Sequence, residues 1–62
     1  MTELFPITLA DQIAEVEREV VLRVRVYPRW VALGRLTPGK AERQITVMEE
    51  VLKSLYTLKD KK

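Results

Sequence analysis

The sequence predicts an all-α fold: a two-helix antiparallel hairpin that dimerises into a four-helix arrangement. Three observations carry it. A turn signal lies near the middle of the chain, where Gly34 is followed by Thr37-Pro38. Gly34 suits a helix stop, because only Gly takes the left-handed C′ conformation without a Cβ penalty. Thr37 suits an N-cap, and Pro38 at the first helical position lacks only an N–H that would be unpaired anyway. The second observation is apolar residues recurring at helical spacing on both sides of that signal, joined by a loop too short for anything but antiparallel neighbours. The third is length: 62 residues with no Cys and no His make at most one domain. Below about 70–80 residues one core rarely suffices, and disulfides and the common zinc sites are excluded, so oligomerisation remains.

The reading is one domain over residues 1–62, with helix 1 at about 9–33, a turn at 34–37 and helix 2 at about 38–58. Residues 1–7 form a short arm. Pro6 disfavours helix at Phe5, and Leu4, Phe5 and Ile7 either pack on the hairpin or fray. Helix 1 starts after Thr8, where Thr8-Leu9-Ala10-Asp11 resembles a capping box with Asp in place of the usual Glu. Asp11 also suits the positive end of the helix dipole. At about 100° per residue, Leu9, Ile13, Val16, Val20, Val24, Tyr27 and Val31 share one face and form the core stripe.

Two features oppose helix 1. Residues 20–27 are rich in β-branched valine, and Val20, Leu22, Val24 and Val26 alternate with Arg23 and Arg25 as in a strand. Pro28 then falls inside the helical pattern, where it removes one hydrogen bond or kinks the axis. Helix is retained because the stripe stays in phase from Leu9 to Val31. A lone strand would also lack a partner; were it real, a ribbon–helix-like dimer would be the alternative fold. In helix 2, Ala41, Ile45, Met48, Leu52 and Leu55 form a stripe at 4-3-4-3 spacing. Glu42, Arg43, Glu49, Glu50 and Lys53 cover its wet side, with Glu49 and Lys53 an i,i+4 pair in the favourable order. The tail from Lys59 to Lys62 is polar and expected to fray.

Composition argues against chemistry. Without His or Cys there is no conventional nucleophile–base pair and no proton shuttle near neutral pH. Two helices offer no deep pocket in which a Glu or Lys pKa could be retuned. The sequence therefore reads as a non-enzyme with no cofactor and no metal. A net charge of +2 does not by itself imply nucleic-acid binding. No apolar run reaches the roughly 18 residues of a membrane span. The first residues lack the basic start of a signal peptide, so the expected location is a reducing cytoplasm.

Binding surfaces remain. Leu22, Val26, Trp30 and Leu33 lie beside the helix 1 stripe, as do Val47, Val51 and Leu58 in helix 2. Each helix can hide only one stripe, so the leftover apolar surface must meet a second copy or another protein. Tyr27, Trp30 and Tyr56 form an aromatic set, with the single Trp beside the turn. Trp30 serves either as an interface anchor or as a plug for the end of the core. Arg18, Arg25 and Arg29 share one face, while Arg23 stands apart and Arg35 is in the turn. Interleaved Glu15, Glu17 and Glu19 mark that face as a solvated or protein-facing one more than a nucleic-acid stripe.

Tyr27-Pro28-x-Trp30-Val31-x-x-Gly34-Arg35-Leu36-Thr37, followed by Ala41, Ile45 and Met48, resembles a group of very short proteins encoded by tailed bacteriophages and prophages. The resemblance covers about residues 9–58, and its motif residues belong mainly to turn and core. The group is similar to a phage quorum-sensing anti-activator, a small helical dimer that binds a LuxR-type transcription factor and keeps it off DNA. That protein also acts on a type IV pilus assembly ATPase. The resemblance implies helix at 20–27, accommodation of Pro28, a homodimer, a bacterial host protein as partner, and action in the host cytoplasm. It assigns no catalytic residue. Partner contacts are then expected at Tyr27, Arg29, Trp30, Leu33, Arg25 and Arg18. Core and dimer contacts are expected at Ile13, Val16, Val20, Val24, Val31, Ala41, Ile45, Met48, Leu52 and Leu55. The alternative function is a small dimeric nucleic-acid-binding protein, as a phage repressor or antitoxin would be.

Overall fold

A computed structural model describes residues 6–61, so the expected packing of Leu4 and Phe5 lies outside the described residues. Two α-helices follow one another: α1 spans Leu9–Ala32 and α2 spans Pro38–Asp60. There is no strand among the described residues, and the valine-rich stretch 20–27 is helical. The alternation of valine and arginine there carries no pairing partner. Helix wins because α2 supplies an apolar surface to pack on.

The ends form as their residues dictate. Thr8 caps α1 through a complete capping box: its N–H donates to Asp11 Oδ2 at 3.0 Å and its hydroxyl accepts from the Asp11 N–H at 3.1 Å. The Thr8 backbone N–H, and after it the Thr8 side chain, hold the Asp11 carboxyl below its ordinary value. A lowered carboxyl pKa means this contribution is present above the usual carboxylate range and is lost as pH falls through it. Thr8→Ala is expected to cost about 1 kcal/mol. For a chain of this size that is a drop in melting temperature of roughly 4–8 °C, readable by circular dichroism; an unchanged melt would show the cap to be idle.

At the other end of α1, Gly34 sits at φ 74°. The Gly34 N–H donates to Val31 O at 3.0 Å and the Arg35 N–H to Trp30 O at 2.9 Å. These two bonds are the Schellman pattern, which satisfies carbonyls the helix would leave unpaired. Thr37 then caps α2, accepting from the Lys40 N–H at 3.2 Å, with Pro38 in the first turn. Helix α2 runs past the expected end at 58 to Asp60, since no Gly or Pro stops it and Lys59 favours the negative end of the dipole.

Pro28 lies inside a continuous α1 rather than at a break. Pro28 and Val24, whose carbonyl loses its helical donor, are both exposed, so water can replace the missing bond. Pro28→Ala is therefore expected to leave stability unchanged or to raise it, by at most about 3 kcal/mol. A clear loss in a thermal melt would instead show Pro28 to be favoured in place.

The helices pack antiparallel. Arg23 and Tyr27 reach Gln44, and Tyr56 reaches Glu17, so the pairings nest around the turn. The extents of 42 × 30 × 14 Å describe a slab one helix thick, which leaves both broad faces open. Its core is thin: Ile13, Tyr27 and Ala41 are buried. Leu9, Val16, Val20, Val31, Ile45, Met48, Leu52 and Leu55 are half-buried along the seam. The predicted stripe fails at one position. Val24 is 49% exposed, and Arg23 takes its place with 21% of its side chain accessible. Two packed helices follow a repeat near 3.5 residues, which selects 16, 20, 23 and 27. An arginine stem can line such a seam while its guanidinium reaches a polar group at the edge.

Candidate protein interaction surface

The contacts across the seam fix which helix edges share a face. At about 100° per residue, Arg23, Glu19, Val26 and Trp30 flank the α1 stripe on one side, and Glu17, Val24 and Val21 on the other. On α2 the corresponding edges carry Gln44, Val47 and Val51 on one side and Tyr56 on the other. Arg23 Nη1 donates to the Gln44 carbonyl at 3.0 Å, which joins the first pair of edges. Tyr56 donates its hydroxyl to Glu17, which joins the second. The two apolar patches read from the sequence, Leu22-Val26-Trp30-Leu33 and Val47-Val51-Leu58, thus lie on one broad face of the hairpin.

That face is organised around a polar–aromatic cluster. Arg23 Nε donates to Glu19 Oε1 at 2.8 Å, and its guanidinium carbon sits 5.8 Å from the centroid of the Tyr27 ring. The Tyr27 hydroxyl donates to Gln44 Oε1 at 3.2 Å. Trp30 stacks on the same ring, with centroids 5.4 Å apart and planes 25° apart. Tyr27 is therefore a core residue whose one polar atom is satisfied. It was expected both in the stripe and as a partner anchor, and only the first role fits, because its ring is covered by its own hairpin. Trp30 leans on Tyr27 yet stays 40% exposed, so it is held in one orientation while still presenting a flank to solvent.

The other expected contact residues fall around Trp30. Leu33 is 61% and Leu22 52% exposed, and both extend the apolar strip along α1. Arg25 and Arg29 are exposed on the outer edge beside it. Arg18 lies two turns from Arg25 on the same edge and is tied to Glu15 at 2.7 Å, so it is farthest from the strip and already paired. Sequence reasoning missed Arg23, Gln44 and the Glu17–Tyr56 tie. Counting a 3.5-residue repeat instead of following hydrophobicity would have put Arg23 in the seam. The need of a buried Tyr27 hydroxyl for a partner pointed toward a residue such as Gln44. The bond to Glu17 raises the Tyr56 pKa, so this tie helps hold the open end below the usual tyrosine range and is lost as pH rises through it.

Two shallow depressions of about 360 Å³ each border the turn-proximal part of the slab. One is lined by Arg23, Lys40, Arg43, Gln44 and Val47. The second lies under the turn, with Val31, Leu36 and Pro38 as its apolar wall and Arg35 and Lys40 at its rim. Neither encloses a set of groups suited to acid–base or nucleophilic chemistry. No helix among the described residues is long and apolar enough to cross a membrane. Compared with protein-family models, curated proteins and solved structures, the chain matches none of them.

Proposed function

We propose that this chain is a phage- or prophage-encoded protein–protein interaction module that inhibits a bacterial host regulator, with a LuxR-type quorum-sensing activator as the target. The observation that carries the reading is the strip Leu22-Val26-Trp30-Leu33, exposed at Leu22, Trp30 and Leu33 and half-buried at Val26, flanked by Arg25 and Arg29 and centred on an aromatic that stacks on Tyr27. Aromatic residues and arginine around a desolvated centre are the usual composition of a binding hot spot. The resemblance of the segment from Tyr27 to Met48 to short phage proteins supports the same reading. The protein acts without catalysis, in the host cytoplasm. It keeps the activator off DNA by covering either the surface that meets DNA or the surface on which the activator pairs with its own copy. A pilus assembly ATPase is a second host target of the same kind.

The module works as a homodimer. Support comes from the thin core and from apolar side chains on both broad faces, among them Val21 and Val24 opposite the strip. Light scattering coupled to size exclusion should give twice the 7.2 kDa of the chain; a cooperatively melting monomer would rule the dimer out. The function itself is tested by a reporter driven by a LuxR-type activator, with the protein co-expressed. Reporter output should fall while activator levels hold; undiminished output would reject that target. Clustering of arginines and lysines near the turn favours one second reading, direct nucleic-acid binding. A gel shift across a salt series tests it, since such binding should weaken steeply with salt.

A further inference from the structure

The turn-proximal half of the hairpin has a charge pattern that the reading above leaves unused. From Val24 to Val47 the chain carries five cations, Arg25, Arg29, Arg35, Lys40 and Arg43, against one acid, Glu42. The ion pairs among the described residues are Arg18–Glu15 and Arg23–Glu19, so none of the five has a carboxylate within reach there. The remaining described residues, 6–23 and 48–61, reverse the balance, with seven acids against five cations. The slab is thus polarised along its length, basic toward the turn and acidic toward the open end.

These cations form two rims. Arg25 and Arg29, one turn apart, follow the outer edge of α1. Lys40 and Arg43, also one turn apart, follow the outer edge of α2 and line a depression floored by Val47. Between the rims run Val26 and Trp30, with Leu33 at the end of the strip. An apolar strip with cations on both sides is the complement of an amphipathic segment whose apolar seam is flanked by carboxylates.

We propose that this face receives an acidic amphipathic segment of the partner protein. The apolar seam of that segment covers Trp30 and Leu33, and its carboxylates meet Arg25 and Arg29 on one side and Lys40 and Arg43 on the other. The inference rests on the interaction-module reading and chooses between its two mechanisms. A surface that an activator uses for DNA must be cationic to meet phosphates, and the basic rims would repel it. An acidic surface used for the activator's own pairing fits. A nucleic-acid duplex fits less well, since phosphate contacts do nothing for an apolar strip and the acidic end of the slab repels the rest of the duplex.

Trp30 is the single Trp of the chain and sits at the centre of the strip, so its fluorescence reports occupancy directly. The probe is a synthetic amphipathic helix with a leucine seam flanked by glutamates, titrated into the intact protein. Its counterparts carry lysines in place of the glutamates, or are replaced by a short random-sequence duplex. The acidic peptide should shift the Trp30 emission and saturate at roughly micromolar concentration, as a small interface does. The lysine peptide should not bind. Lys40→Glu with Arg43→Glu should weaken the acidic peptide roughly tenfold or more at an unchanged melt, and Arg25→Glu on the other rim should weaken it too. The proposal is overturned if both peptides bind alike, if charge reversal on the two rims leaves affinity unchanged, or if the duplex binds more tightly than the peptide at physiological salt. The titration contains no host regulator. Peptide binding without reporter inhibition therefore rejects the regulator reading alone, and inhibition without peptide binding rejects this one alone.

Discussion

Ile13→Asp is expected to unfold the hairpin. Ile13 is 5% exposed, the most buried of the three core residues, and it faces α2 where the acidic end of the slab is built. Removing a buried isoleucine side chain alone costs about 2–5 kcal/mol. Placing an unpaired carboxylate there adds several more, because the charge loses water and gains no partner. A domain of this length has roughly 3–9 kcal/mol in total, on the usual range per residue. The helical circular dichroism signal should disappear at all temperatures, or return only at acid pH where the carboxyl is neutral. Met48→Asp and Leu52→Asp follow the same logic with a smaller effect, because those side chains are half-buried. Ser54→Asp is the control: Ser54 is an exposed polar residue on the outer side of α2, and such a position should change the melt of the hairpin by about 0.5 kcal/mol or less. Full helicity in Ile13→Asp would mean that the α1 stripe packs somewhere other than on α2.

Trp30→Ala combined with Arg29→Glu is expected to abolish most of the inhibition of a host activator while leaving a folded protein. Truncating an aromatic anchor commonly costs 2 kcal/mol or more of binding energy, roughly a thirtyfold loss of affinity. Reversing Arg29 adds repulsion toward a carboxylate-bearing partner. The fold should register the change mildly: the Trp30–Tyr27 stack is worth about 0.5–1.5 kcal/mol, so the melt should fall by several degrees without losing its cooperativity. The assay is the activator-driven reporter beside a melting curve. Retained inhibition by a folded variant would move the interface to the distal part of the same face, around Val51 and Leu58. A variant that does not fold would show that Trp30 serves the core alone, as a plug on Tyr27.

Much of the hairpin was legible before any coordinates. Thr8 with Asp11, Gly34, and Thr37 with Pro38 act within a few residues of themselves, through capping bonds and a left-handed glycine, and local chemistry of that kind is written in order along the chain. The 4-3-4-3 stripe of α2 was legible for the same reason, since one helix face needs only its own spacing. The seam in α1 was not. Choosing Val24 over Arg23 followed hydrophobicity, whereas the choice depends on the repeat imposed by a second helix and on a carbonyl of Gln44, which sequence distance hides. Tyr27 shows the same division: its apolar character was plain, but whether its ring faced a partner or its own hairpin depended on what α2 placed opposite it.

The sequence by itself determined two helices, their caps and a turn that folds them back on each other. Only the tertiary structure decided how their edges pair. The bonds from Arg23 to Gln44 and from Tyr56 to Glu17 bring Leu22, Val26, Trp30 and Leu33 onto one face with Val47, Val51 and Leu58, and leave Val24 on the other. The physical reason is that helical periodicity fixes angles within a helix but not the rotation of one helix against its neighbour. That rotation is set by which side chains fill the seam, and here a half-buried arginine and a hydrogen-bonded tyrosine set it.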